Sequence, residues 1–349
     1  MRFSTLGSSG LEVSRVCLGT MTWGTQNTQR DADQQIDYAL SRGVNFLDTA
    51  EMYSIPPNPE SYGKTETIIG NWLSRNRDKR SDIILASKIA PGLPWVRGGS
   101  PLSRQAVIEA VDNSLQRLHT DYIDLYQLHW PNRTSPHFGK HFPNHYKLSD
   151  ASAEVETADM LDILEGLNSC VQAGKIRHCG LSNDTPWGIA TYLKLSEQHQ
   201  LPRMVSIQNE FNLLHSKDWP HLIEHCAMEN IAYLPWSPLA GGMLSGKYLG
   251  GARPAGSRWT ITQRNGLFRD TPAASEAIEA YMRVAQKHSI TTAQLALAWC
   301  DQVDGVTSTI IGATTLEQLK EDIDAFDIAL SDPLKQEILA IIKQYPMPF

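Results

Sequence analysis

Short apolar runs alternate with amphipathic stretches eight times along this chain, and few folds accommodate that rhythm. The runs cover 16–20, 44–48, 83–88, 123–129, 176–182, 205–211, 231–236 and 307–313. The amphipathic stretches lie near 31–43, 64–76, 103–118, 159–173, 186–198, 219–229, 276–288 and 315–326. In the third of these, Ile108, Val111, Leu115 and Leu118 recur every three or four residues, as one face of a helix requires. Ser103 and Thr315 precede their stripes in the position of helix caps. Alternating strands and helices imply a parallel sheet covered by helices. Eight units in roughly 300 residues fit a closed (β/α)8 TIM barrel better than an open sheet. No change of composition marks a boundary, so 1–349 is expected to form a single domain.

Ahead of the first unit, Arg2-Phe3 and Leu11-Glu12-Val13 flank Gly7-Ser8-Ser9-Gly10, the pattern of a β-hairpin that would plug the barrel's bottom. Two connections, 130–158 and 237–275, exceed ordinary loop length. Both follow strands, which places them over the C-terminal face, where barrel enzymes carry their active sites. The net charge of −7 gives no reason to expect nucleic acid or an anionic membrane as a partner. No run reaches the ~20 apolar residues of a spanning helix. The first residues lack the apolar core of a signal peptide. Five cysteines without a Cys-x-x-Cys pair suit a reduced, cytoplasmic protein.

Three apolar runs end on an ionisable group: Asp48, Lys88 and His129. Tyr53 follows the first by five residues. On successive barrel strands these four converge at one mouth. A phenol has a pKa near ~10 and is a weak acid at neutrality. An ammonium at roughly 4 Å, in an effective dielectric of ~20, favours the phenolate by about 4 kcal/mol. That is up to ~3 pKa units. Lys88 is therefore expected to draw Tyr53 toward operating pH, with Asp48 anchoring the lysine and offsetting part of its field. His129 would orient a carbonyl oxygen. Taken singly, each has a plainer use: a structural ion pair, a loop aromatic, a core histidine.

Phe46-Leu47-Asp48-Thr49-Ala50-Glu51-Met52-Tyr53, Ser87-Lys88 and Leu128-His129-Trp130-Pro131 resemble the tetrad segments of the aldo-keto reductases. The likeness covers nearly the whole chain. Thr309-Ile310-Ile311-Gly312-Ala313-Thr314-Thr315 and Gly250-x-Ala252-x-Pro254-Ala255-Gly256-x-Arg258 are similar to a bacterial branch with the potassium-channel β subunits as cousins. The resemblance implies a barrel fold and reduction of an aldehyde or ketone with NADPH (NADP), the tyrosine giving the proton. Gly19, Thr20 and Met21 resemble the strand end along the nicotinamide. Ser182, Asn183 and Gln208 resemble the grip on its carboxamide, and Trp236 the ring that stacks on it. Ser237, Leu239, Gly241 and Lys247, with Arg258, resemble the pyrophosphate loop. Gly312, Thr314, Gln318, Glu321 and Asp322 resemble the adenosine-phosphate end, Asp322 replacing an asparagine usual in that branch. Trp23, Trp95 and Trp130 are expected to wall the substrate pocket.

Some of these residues have quieter uses. Asn183 and Gln208 equally suit the satisfaction of buried backbone groups, and Thr314-x-x-Glu317 reads as a capping box. Gly241-x-x-x-x-Gly246-Lys247 matches most of a P-loop, but Tyr248 stands where Ser or Thr must hold magnesium. His137, His141 and His145 are spaced by four, yet Pro136 and Pro143 break the helix that would align them. No metal is expected. Two other functions fit parts of the pattern: a Schiff-base aldolase using Lys88, and a regulatory subunit that senses NADPH. No oligomeric state and no single substrate follow from these residues.

Overall fold

The computed structural model describes residues 1–145, 147, 152–261 and 267–349. The two long loops thus lie partly outside the described residues. A two-stranded antiparallel hairpin, β1 (Phe3–Thr5) and β2 (Glu12–Ser14), precedes the barrel. The barrel strands are β3 (Val16–Gly19), β4 (Phe46–Asp48), β5 (Ile84–Ile89), β6 (Ile123–Leu128), β7 (Ile176–Ser182), β8 (Met204–Glu210), β9 (Ala232–Trp236) and β10 (Thr309–Ile311). They form one parallel sheet in the order β10-β3-β4-β5-β6-β7-β8-β9. The Tyr233 carbonyl accepts from the Thr307 N–H at 2.9 Å, which brings β9 against the run into β10 and closes the ring. This is the (β/α)8 barrel that the eightfold alternation called for.

The covering helices are α1 (Gln29–Ser41), α2 (Lys64–Arg75), α3 (Arg104–Leu118), α4 (Ala153–Gln172), α5 (Pro186–His199) and α6 (His221–Met228). After β9 come a short α7 (Arg258–Ile261), α8 (Pro272–Lys287) and α9 (Thr292–Gln302). After β10 come α10 (Leu316–Asp324) and α11 (Asp332–Gln344). Ser103 and Thr315 are the expected N-caps, each accepting from the backbone N–H three residues on. The capping box drawn at Thr314 and Glu317 does not form. Thr315 caps, and the Gln318 side chain reaches back to the Thr314 N–H at 3.0 Å. Helix α4 begins six residues earlier than expected, and α9 and α11 were not anticipated.

Strand side chains alternate with period two, so alternate residues share the barrel interior. Leu6, Cys17, Phe46, Ala86, Leu125 and Leu234 form one fully buried cluster there. Two residues beyond Phe46, Ala86 and Leu125 stand Asp48, Lys88 and Gln127, on the same inward face. The hairpin closes the opposite end. Gly7 adopts φ +52°, and a Cβ there would lie 2.3 Å from the Val205 carbonyl oxygen, so only glycine fits against the barrel floor. Arg2 and Arg15 both pair with the buried Asp301 of α9, fastening the N-terminal segment under the barrel.

Candidate active site

The C-terminal mouth gathers all four candidate catalytic side chains. Lys88 is fully buried, and its Nζ donates to Asp48 Oδ2 at 2.6 Å and to the Thr49 carbonyl at 2.8 Å. The same Nζ lies 5.0 Å from the centre of the Tyr53 ring. The Tyr53 and His129 rings meet edge-on at 5.6 Å. Asp48 Oδ1 accepts from Gln208 at 2.8 Å and from Gln127 at 3.3 Å, so its lone pairs are shared between the lysine and two amides. Thr20 Oγ1 donates to the Asp48 carbonyl at 2.8 Å and fixes that strand end.

Burial acts differently on each group. It raises the Tyr53 phenol above its ordinary value, the opposing field of Lys88 being insufficient and Asp48 adding to the rise. The downward shift expected from Lys88 alone is therefore overturned by desolvation, which disfavours phenolate. Burial by itself would lower Lys88, but the charge and hydrogen bond of Asp48, with Tyr53, carry it above its ordinary value. His129 is held well below the usual imidazole range by burial and then by Lys88. At neutral pH the site thus holds a protonated phenol, an ammonium and a neutral imidazole. His129 Nδ1 is buried without a hydrogen-bond partner among the described residues.

The candidate cofactor residues occupy the other half of the mouth. Asn183 donates to the His129 carbonyl at 2.8 Å and accepts from the Trp236 indole N–H at 3.2 Å. Ser182 Oγ donates to the Gln208 carbonyl at 2.7 Å. Asn183 thus meets the structural use that its sequence context allowed, and it also sets the ring of Trp236. Met21 and Arg258 touch, the Arg258 Nη2 lying 3.3 Å from Met21 Sδ, so the loop after β9 passes over the end of β3. Ser237 and Gly241 take positive φ in that loop, and Leu239 packs against the core. Lys247 faces Asp322 across to α10, whose carboxyl is pushed up to about 7 by burial and by neighbouring Glu321. Thr314 Oγ1 donates to the Gln318 side chain at 3.0 Å at the start of that helix. Gly19 packs tightly, since a Cβ there would sit 2.8 Å from the Ile311 carbonyl oxygen just before Gly312.

These residues suit an anionic dinucleotide. Two cations, Lys247 and Arg258, lie on one loop, and Ser257 Oγ and Trp259 Nε1 beside them are buried with no hydrogen bond among the described residues. The start of α10 supplies a helix N-terminus, which favours phosphate.

The expected pocket walls fare unequally. Trp130 packs with Tyr53, Ile55 and Leu93 around Met52 and Ala90. Trp95 is 42% exposed and stands outside that cluster. Trp23 is no wall: it is fully buried in the main core, its indole N–H donating to Gln35 at 3.0 Å. Phe138, unremarked in the sequence, comes from the long loop to meet Trp130 and Trp236, each at 6.1 Å. Two of the spaced histidines serve backbone: His137 Nε2 contacts the Asp184 carbonyl at 3.2 Å, and His141 Nε2 the Phe349 carbonyl at 2.8 Å, while the His145 ring meets Phe142 edge-on. Among the described residues no three or more His, Cys, Asp or Glu gather to hold a metal ion. Phe349 lies where both long loops meet. Its ring stacks on His215 at 5.7 Å and contacts Phe268 edge-on at 5.9 Å.

A barrel with this mouth is the architecture of the aldo/keto reductases, and that family's profile matches residues 15–343. The chain belongs to the aldo/keto reductase family. It is 42% identical to Protein tas of Escherichia coli over 352 residues, covering 100% of this chain and 99% of that one. It is 29% identical to a probable voltage-gated potassium channel subunit beta of Arabidopsis thaliana, over 94% and 92% of the two chains. Versiconal hemiacetal acetate reductase of Aspergillus parasiticus is 27% identical, over 95% and 94%. Membership makes the chain an oxidoreductase, and NADPH-dependent reduction of small carbonyl compounds is the family's general chemistry. Among the described residues no helix is long and apolar enough to cross a membrane.

Proposed function

We propose that this protein reduces an aldehyde or ketone to the alcohol with NADPH, and that Tyr53 gives the proton to the carbonyl oxygen. The observation that carries this reading is the placement of Tyr53 between the buried Lys88 ammonium and the edge of His129. Bound NADPH supplies the hydride. Trp236, Asn183, Ser182, Gln208, Gly19, Thr20 and Met21 would hold its nicotinamide end. Ser237, Leu239, Gly241, Lys247 and Arg258 would hold the pyrophosphate, and Gly312, Thr314, Gln318, Glu321 and Asp322 the adenosine end.

The raised Tyr53 pKa keeps the phenol protonated, the form a proton donor needs before the reaction. Lys88 stabilises the phenolate left behind, because its charge is fixed by Asp48. His129, neutral, donates to or orients the carbonyl oxygen without competing for the proton. Ile55, Leu93, Trp130 and Phe138 present apolar surface to the substrate and exclude water from the proton path. A Schiff base on Lys88 requires a neutral amine, and Asp48 opposes that. A cytoplasmic setting suits the five free cysteines, all buried.

The test is Tyr53→Phe. Turnover of NADPH across a panel of aldehydes and ketones is expected to vanish, while NADPH affinity measured by tryptophan fluorescence stays within about threefold. Full activity in this variant would sink the assignment.

A further inference from the structure

We propose that Glu51 is a positioning residue that locks the segment carrying Tyr53 onto the segment carrying Lys88, with Arg97 as its clasp. The inference rests on the reading of Tyr53 as proton donor. Glu51 sits three residues past Asp48 and two before Tyr53, and its carboxylate is fully buried. A buried charge needs a complete set of partners, and this one has four hydrogen bonds. Oε1 accepts from the Ala90 N–H at 3.0 Å and from Arg97 Nη2 at 2.7 Å. Oε2 accepts from Arg97 Nη1 at 2.9 Å and from the Tyr62 hydroxyl at 2.8 Å.

The main chain repeats the same connection. The Glu51 N–H donates to the Lys88 carbonyl at 3.1 Å, and its own carbonyl accepts from the Gly63 N–H at 3.0 Å. Arg97 also donates to the Ala90 carbonyl at 2.6 Å. One carboxylate therefore joins three segments: the turn that bears Tyr53, the strand end that bears Lys88, and the loop before α2 that bears Tyr62. The forked guanidinium matches the two carboxylate oxygens, a geometry that lysine cannot reproduce. Arg97 itself takes φ +50°, a strained conformation for a side-chain-bearing residue, maintained by the ion pair it makes. Nothing in the proton transfer uses Glu51 directly. Its effect is on the separation of phenol and ammonium, on which stabilisation of the phenolate depends.

The experiment compares wild type with Glu51→Gln and Arg97→Lys. It reads kcat, the KM for NADPH, the pH profile of kcat, and amide hydrogen exchange in the cofactor-free protein. We expect kcat to fall about ten- to a hundredfold, the loss that a displacement of about an ångström brings. The KM for NADPH should stay within about twofold and the alkaline limb of the pH profile should move. Exchange should rise together in 49–54 and 88–97 and stay unchanged in β7 to β9. Arg97→Lys should sit between Glu51→Gln and wild type, and it carries the same readouts if Glu51→Gln does not fold. Unchanged kcat and pH profile in both variants overturn the proposal. So does exchange that rises throughout the barrel, which marks a merely structural ion pair. Should Tyr53→Phe retain activity, the reading of Tyr53 fails on its own, and the exchange pattern still decides whether Glu51 joins the two segments.

Discussion

Asp48 and Lys88 form a closed ion pair at the base of the mouth, 2.6 Å between Oδ2 and Nζ, with both side chains buried. Breaking such a pair by removing one partner typically costs about 3–5 kcal/mol, because the other charge stays buried and unmatched. Asp48→Asn should lower the denaturant midpoint accordingly. It should also let burial pull the Lys88 pKa down, so phenolate stabilisation weakens and kcat falls. The sign of the pH effect follows from Lys88 being raised above 10.5. Its stabilisation is complete below that value and is lost as pH climbs through the higher folded value. Wild type should therefore lose stability at strongly alkaline pH, with a smaller loss in Asp48→Asn. Equal alkaline slopes in the two proteins would refute this.

Asp322 should make cofactor binding sensitive to pH. Burial and neighbouring Glu321 push its carboxyl up to about 7, so it gains charge as pH rises through neutrality. If the adenosine phosphate of NADPH rests at the start of α10, that new charge repels it. Affinity should weaken several-fold between about pH 6 and about pH 8. Asp322→Asn should flatten the dependence and bind more tightly at the upper end. Isothermal titration at several pH values measures both. A dependence that survives the substitution places the titrating group elsewhere.

Five histidines should make the protein acid-labile. Burial lowers His129, His141, His178 and His215, and takes His137 down to about 3. Above the ordinary value of 6.5 both folded and unfolded forms are neutral, and nothing is lost. Below it the unfolded chain takes up protons that the folded one refuses, so stability drains away as pH falls toward about 3. Urea unfolding at a series of acid pH values should show this slope, and His137→Gln should reduce it by up to about one proton. A flat profile would show that these imidazoles reach solvent in the folded state.

The barrel, and the meeting of Asp48, Tyr53, Lys88 and His129 at its mouth, were legible because both leave local marks. Strands buried on two faces are continuously apolar, so Asp48, Lys88 and His129 stand out where those runs stop. Helix α9 escaped notice because its Leu295 to Ala298 run is apolar all round and shows no stripe. Helix α11 does carry a local mark, the cap Ser331 followed by Pro333. The fate of Trp23 was invisible, since its ring is buried by the packing of the main core and its indole N–H is satisfied by Gln35 of α1. Glu51 and Arg97 are 46 residues apart, and no periodic rule joins them. Side-chain partners set by tertiary closure are what the sequence conceals.

The position of Phe349 has a kinetic consequence. Because it bears at once on His141 from one long loop and on Phe268 from the other, neither loop leaves the mouth without disturbing the same contact. Admission of substrate should then be a single concerted event with one relaxation rate, where two independent lids would give two. Amide exchange within 134–142 and 267–271 should share one opening rate in the wild type and separate into two in Phe349→Ala. Two distinct rates already present in the wild type would show that the loops open separately. On this view Phe349 governs how the mouth is entered, although it lies far along the chain from Asp48, Tyr53, Lys88 and His129.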